Sequence, residues 1–245
     1  MEVEVFVDLI CPHSYIAVRR LDAALAEFED RADVEVIWRS FQLDTRRERS
    51  FEQILVESVM RNHRMSRAEA MDVAVHVQAT LTDAAAREGL AYHPVTADPV
   101  NTFDAHRMLH LAAEHGVCDA AVKRIQQAYF AEGMAIGDPE TLAMLVAGVG
   151  VDLDEARSVA LGDDYSSDVL DDRTRRREPR RRRCPLLPLR RAIRGVGRAI
   201  GAMAAGGDAA LLGAAACAPV TVSSHQSRAR RSSIIPSRAR TSKRG

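Results

Sequence analysis

Apolar and β-branched residues fill positions 3–9, inside the run VEVFVDLI, which suits a buried strand. Asp8 interrupts the run near its end. The motif CPHS (Cys11 to Ser14) follows and opens an amphipathic stretch. There Val18, Leu21, Leu25 and Phe28 recur at spacings of three and four, with charges between them, which predicts a helix. VEVIWRSFQL (34–43) has the character of a second strand. Strand, helix and strand in this order predict a parallel pair joined by a right-handed crossover.

From Phe51 to about Leu161 the pattern is helical throughout. Ser66 with Glu69 forms a capping box ahead of Val73, Val77, Leu81 and Ala84. Asn101 or Thr102 can cap a helix carrying Phe103, Leu109 and Ala113, and Asp119 one carrying Val122, Ile125 and Tyr129. Asp138 with Pro139 makes an N-cap and first-turn pair leading into Leu142, Leu145 and Val149. The periodicity is orderly as far as Asp172. Beyond it, RTRRREPRRRRC, an Ala/Gly-rich stretch and SSHQSRARRSSIIPSRARTSKRG keep no period, and no Phe, Trp or Tyr follows Tyr165. Such a composition buries too little apolar surface to offset chain entropy, which predicts disorder.

These patterns divide the chain into an N-terminal β-α-β unit (1–45), a helical insertion (46–150), a return towards the first unit (151–172) and a basic tail (173–245). The length allows one sizeable domain or two small ones, and 47% apolar residues allow a core. No run of about 18 apolar residues occurs, so no membrane span is expected. The start MEVEVF lacks the basic and apolar regions of a secretory signal, so the expected location is cytoplasmic. The net charge of zero hides a division. Residues 173–245 hold 19 Lys+Arg against 2 Asp+Glu, and the remainder 15 against 32. One reading of that tail is a basic arm for nucleic acid. Its arginine runs carry no aromatic residue for base stacking, so a nucleic-acid partner is not expected.

Four widely spaced cysteines (Cys11, Cys118, Cys184, Cys217) form neither a metal-ligand cluster nor an evident disulfide framework. Cys11 differs from the others by standing at a strand-to-helix junction. There a sulfur lies near orphan N–H groups and the positive end of the helix dipole, which predicts a depressed pKa. A protonated His13 would add to this, and Pro12 fits the first turn because it has no N–H to orphan. Position alone leaves a buried structural cysteine as an equal alternative. His106 and His110 share a helix face at i, i+4. No carboxylate or thiol joins them at ligand spacing, so no metal is expected. Asn101 reads as a cap and His106 as a core-facing histidine with a hydrogen-bonded tip.

VDLICPHSYIAVRRLDAAL, VEVIWRSFQLD and NTFDAHRMLHLA together resemble the DsbA-like thioredoxin-fold oxidoreductases, in particular the FrnE-like cytoplasmic branch. The resemblance covers residues 2–170. It implies an α/β, thioredoxin-like fold with a large helical insertion between the second and third strands. In that family the first cysteine of C-P-x-C attacks disulfides and the second resolves the mixed disulfide. Cys11, Pro12 and His13 match the motif; Ser14 departs from it. A hydroxyl can neither form nor cleave a disulfide, so monothiol exchange remains, with an external thiol such as glutathione as co-substrate. The implied partners are protein disulfides or low-molecular-weight thiols, and the implied activity is impaired. The helix of Asn101, Phe103 and His106 shapes the substrate groove in this reading. A related branch, the kappa-class glutathione transferases and 2-hydroxychromene-2-carboxylate isomerases, is the alternative. Its serine occupies the first motif position, where this chain has Cys11.

The family's fold also requires a cis-proline loop, two further strands and a last helix after the insertion. Residues 173–245 show none of these patterns, so the C-terminal half of the sheet is expected to be missing or replaced. Written in GC-rich codons and read one base downstream, CPLLPLRRAIRGVGRA (184–199) can give APFFPFDGRYAVSGA, which has the form of the family's cis-proline segment. The outer bases of each new codon are fixed and the middle ones are free. We read the frame as shifting near residue 172, which accounts for the Arg, Ala and Gly excess without a nucleic-acid partner.

Overall fold

The computed structural model describes residues 2–45, 48–94, 99–177 and 220–223. Strand β1 (Glu2–Val7) leads into helix α1 (Pro12–Ala26), and a short 3-10 turn at Arg31–Asp33 returns the chain to strand β2 (Glu35–Ser40). β1 and β2 are parallel, with Val5 opposite Trp38 and Val7 opposite Ser40. Val3, Val5, Phe6 and Val7 are all buried, so β1 has packing on both faces, as a central strand in a β-α-β unit requires. Glu4 escapes burial as a lone charge by pairing with Arg39 on β2, at 2.9 Å.

Seven helices follow among the described residues, the first six being α2 (Phe51–His63), α3 (Arg67–Arg87), α4 (Phe103–Glu114), α5 (Cys118–Phe130), α6 (Pro139–Ala147) and α7 (Leu153–Leu161). Their starts are set by local chemistry. Ser66 and Glu69 form a reciprocal capping box on α3, and Ser50 with Gln53 forms a second on α2. Asp138 caps α6 through the Thr141 amide, with Pro139 behind it. Asp119 does not cap α5. Gly116, at φ 71, turns the chain sharply after α4, and α5 begins at once behind Val117. α7 packs on α4 and α6, so the helical layer continues past residue 150.

The last described helix, α8 (Ser166–Arg177), packs against β2 and α4, and the expected boundary at residue 172 falls inside it. Asp172 is the reason it docks there. Its buried carboxylate accepts a hydrogen bond from the Ser40 amide at 2.9 Å and faces Arg39 and His110, each at 3.4 Å. The Ser40 hydroxyl bonds the same His110 ring nitrogen at 3.0 Å. Burial alone would raise the Asp172 pKa, but the bonds from His110 and Ser40, with the Arg39 charge, hold it below its ordinary value. Arg107, fully buried on α4, adds a second clamp by donating to the carbonyls of Asp164 and Val159.

Most of the basic tail, with Cys184, Cys217 and the segment 184–199, lies outside the described residues. One expectation about it needs correction. Residues Val220–Ser223 form strand β3, antiparallel to β1 with Val3 opposite Val222, giving the order β2-β1-β3. VTVS is too short to register as periodic, yet the open edge of β1 presents unpaired backbone groups to which a β-branched segment can pair. A strand therefore does occur beyond residue 172.

Asp172→Ala should lower unfolding stability by about 2 kcal/mol at neutral pH, because it strands the buried Ser40 amide and removes a partner of Arg39. A depressed carboxylate contributes stability above its ordinary pKa of 3.8 and loses it as pH falls through the folded value. The gap between wild type and variant in urea unfolding should therefore be full at pH 6 and shrink below pH 3.8. A gap that stays constant to pH 2.5 would contradict this role.

Candidate active site

β1 ends where Asp8 turns its side chain back on the backbone. The Asp8 carboxylate accepts the Ile10 amide on Oδ1 at 3.2 Å and the Leu43 amide on Oδ2 at 2.5 Å. The Thr102 side chain bonds it as well. One carboxylate thus joins the turn before Cys11, the chain leaving β2 and the start of α4. The Cys11 amide donates to the Asp8 carbonyl at 3.3 Å, which closes the turn and sets Cys11 at the N-cap of α1.

Pro12 occupies the first position of α1, where a missing N–H costs nothing. His13 is buried and meets the Phe51 ring edge-on at 5.9 Å, tying the start of α1 to α2. Ser14, 2% exposed, directs both its backbone amide and its hydroxyl at the Cys11 sulfur, and the His13 amide points there as well. The Tyr92 phenol is close enough for the Cys11 charge to act on it, and it donates to Gln78 at 2.5 Å. The structure thus gathers Cys11, Pro12, His13 and Ser14 into one turn, with Asp8 and Tyr92 beside it.

The electrostatics correct the expected thiol pKa. The Cys11 sulfur is not depressed: burial pushes its pKa up to about 12, and the Asp8 charge adds to the rise. The donors at Ser14 and His13 oppose this and lose, because the residue is only 2% exposed. Asp8 itself is raised to about 6, by burial working against its four hydrogen bonds. A helix N-terminus favours a thiolate, but the gain is smaller than the cost of excluding water from the sulfur.

The α4 residues fall differently. Asn101 accepts from the Phe103 amide at 3.0 Å, as a cap does, although the N-cap position is Thr102. It also takes the Gln42 side-chain amide at 2.9 Å, which fixes α4 to the chain after β2. Phe103 is half-buried beside them. His106 is fully buried with its Nε2 3.0 Å from the Phe41 carbonyl, and burial lowers its pKa to about 4, so the ring is neutral. Thr102 is the α4 side chain that reaches the Asp8 turn. His106 and His110 each engage protein groups, and no group of three or more His, Cys, Asp or Glu among the described residues could hold a metal ion. No described helix is long and apolar enough to cross a membrane.

Asp8, Thr102 and Tyr92 are the neighbours of the Cys11 turn that pattern reading passes over. Only Asp8 left a signal, as an acid inside an otherwise apolar strand run.

The sequence profile of the DSBA-like thioredoxin domain matches residues 2–178. A probable DsbA oxidoreductase from Streptomyces coelicolor is similar at 34% identity with a TM-score of 0.59, over 70% of this chain and 73% of that one. A 2-hydroxychromene-2-carboxylate isomerase shares the fold at 16% identity and a TM-score of 0.51, over 72% and 78% of the two chains. No curated protein matches. A strand, a buried acid and a cysteine-capped helix in this order are what the profile spans, and the chain belongs to the DSBA-like thioredoxin domain family, as an enzyme of the protein disulfide oxidoreductase kind.

Proposed function

We propose that the chain is a monothiol exchange enzyme in which Cys11 forms a mixed disulfide and an external thiol releases it. The observation that carries this is the Ser14 hydroxyl bonded to the Cys11 sulfur, in the place of a resolving thiol. In the forward step the Cys11 sulfur attacks one sulfur of a substrate disulfide. The substrate S–S bond breaks, a Cys11–substrate disulfide forms, and the leaving thiolate takes a proton. Attack by a second thiol, of the glutathione type, then frees Cys11 with no net change in the number of disulfides.

A sulfur with a pKa near 12 needs somewhere to send its proton. Asp8, with a pKa near 6, is ionised at neutral pH and sits within electrostatic reach, so it is the acceptor and returns the proton to the leaving sulfur. Burial of Cys11 keeps the thiolate scarce, which makes the enzyme slow and supports the reading of impaired activity. The isomerase reading requires the serine at the N-cap; here Cys11 holds that place and Ser14 stands three residues into the turn. Substrates are protein or low-molecular-weight disulfides. The cycle needs a pool of reduced thiol, which agrees with a cytoplasmic location.

The rate of exchange with a small aromatic disulfide should rise through about pH 6 as Asp8 ionises, and Asp8→Asn should abolish that step. Stopped-flow release of the thiolate chromophore measures it. An unchanged profile in Asp8→Asn would remove Asp8 from the mechanism.

Ser14→Ala removes one donor from the sulfur, so alkylation of Cys11 at pH 8 should slow by roughly threefold to tenfold. Incubation with oxidised glutathione should leave a stable adduct on Cys11 in the wild type. In Ser14→Cys the adduct should give way to an internal disulfide between Cys11 and the introduced thiol. Intact-mass and peptide mapping decide between these outcomes. Adduct on Cys118 in preference to Cys11 would falsify the assignment of the nucleophile.

A further inference from the structure

A cavity of about 400 Å³ opens between α1, the chain after α3 and α5. Tyr15, Arg19, Asp22, Lys123, Gln126 and Ala131 are among the residues that line it. Its volume lies in the range of small-molecule sites, about 300–1,000 Å³. It does not include Cys11, Ser14 or Asp8.

Among the described residues with an unpaired buried polar atom, Gln126 differs in leaving both a donor and an acceptor open. It is fully buried on α5 among Val122, Ile125 and Tyr129, where Leu or Met would pack equally well. Neither its Nε2 nor its Oε1 has a hydrogen-bond partner. Buried polar atoms of native proteins are paired in the great majority of cases, and this side chain leaves a donor and an acceptor open at once. The cavity it borders is the space that could hold the missing partner. Two of the polar groups nearby are already engaged: the Tyr15 hydroxyl donates to the Ala91 carbonyl at 3.3 Å, and Lys123 sits between Asp22 and Asp119, at 2.8 and 2.6 Å. Arg19, exposed at the mouth, donates to the Glu88 carbonyl at 3.4 Å and has no carboxylate partner among the described residues.

We propose that this cavity is a binding site for a small anionic molecule carrying a planar edge with an adjacent donor and acceptor. The two atoms of a glutamine amide lie on one edge, so the complementary group is a primary carboxamide or a purine edge, where Gln pairs in two-point fashion with adjacent N–H and ring nitrogen. A trans peptide group presents its donor and acceptor on opposite sides and does not fit. The phosphate or carboxylate of the ligand meets the Arg19 guanidinium at the mouth. The Gln126 amide is closed off from the cavity at rest, so the proposal requires its terminal bonds to rotate to meet the ligand, whose ring would lie against Tyr15, Val18 and Leu90 of the lining. The inference is independent of the thiol chemistry, since no residue of one site belongs to the other.

The test is calorimetry on the full chain with adenosine monophosphate and nicotinamide mononucleotide as the two probes, one purine and one carboxamide. At least one should bind saturably with Kd below about 1 mM. Adenosine, without the phosphate, should bind about tenfold more weakly than its monophosphate if Arg19 holds the anion. Gln126→Met, which keeps shape and removes both polar atoms, should weaken the bound probe at least tenfold. Ala131→Leu adds bulk to the cavity lining and should abolish binding even if Gln126→Met fails to fold. Absence of binding by both probes up to about 10 mM would overturn the proposal. So would equal affinity in wild type and Ala131→Leu, or a crystal structure in which ordered waters complete both Gln126 atoms with the probes present. In each of those cases glutathione adduct formation on Cys11 would still stand or fall on its own measurement.

Discussion

The buried carboxylate of Asp8 is the constraint on which the rest of the site depends. It holds the amides of Ile10 and Leu43 and the Thr102 side chain, so three segments far apart in sequence meet at one acid. Without it the turn that delivers Cys11 to the N-cap of α1 loses its side-chain ties to the chain leaving β2 and to the start of α4. The same burial that makes the anchor strong makes the charge expensive, and the pKa climbs to about 6. Structure and chemistry therefore share one cause. A group placed to tie the fold together becomes, by its dry surroundings, able to exchange a proton near neutral pH.

Cys11 sits in the same dry environment with the opposite consequence. Helix position and the Ser14 donors favour the thiolate, while exclusion of water and the Asp8 charge oppose it more strongly. In a dithiol relative the second sulfur would both stabilise the first and release it. Here the hydroxyl of Ser14 keeps only the stabilising part. In the cycle proposed above, thiolate attack has no internal exit, and release of Cys11 is assigned to an outside thiol.

Much of this was legible in the chain itself, and the reasons are local. VEVFVDLI, the Val18–Phe28 spacing and VEVIWRSFQL gave β1, α1 and β2 because strand and helix periods are written in nearest neighbours. Ser66 with Glu69 and Asp138 with Pro139 were readable for the same reason. Asp119 misled because any acid near a helix start looks like a cap, whereas Gly116 had already fixed where α5 begins. The role of Asp8 was hidden, since its partners Leu43 and Thr102 lie 35 and 94 positions away. The thiol pKa is out of reach of local reading for a related reason. A helix terminus can be read from four residues, but burial is a sum over the whole fold. β3 is not legible in the sequence because four residues carry no period, and its place is set by the open edge of β1.

Direct observation of the Asp8 carboxyl by carbon-13 NMR titration tests this account most closely. Asp8 should titrate near pH 6 with Cys11 reduced, and its midpoint should move when Cys11 is converted to the glutathione mixed disulfide, because the two groups share one dry pocket. A midpoint near the ordinary 3.8, unmoved by modification of Cys11, would show that the two are uncoupled and would contradict the mechanism built on them.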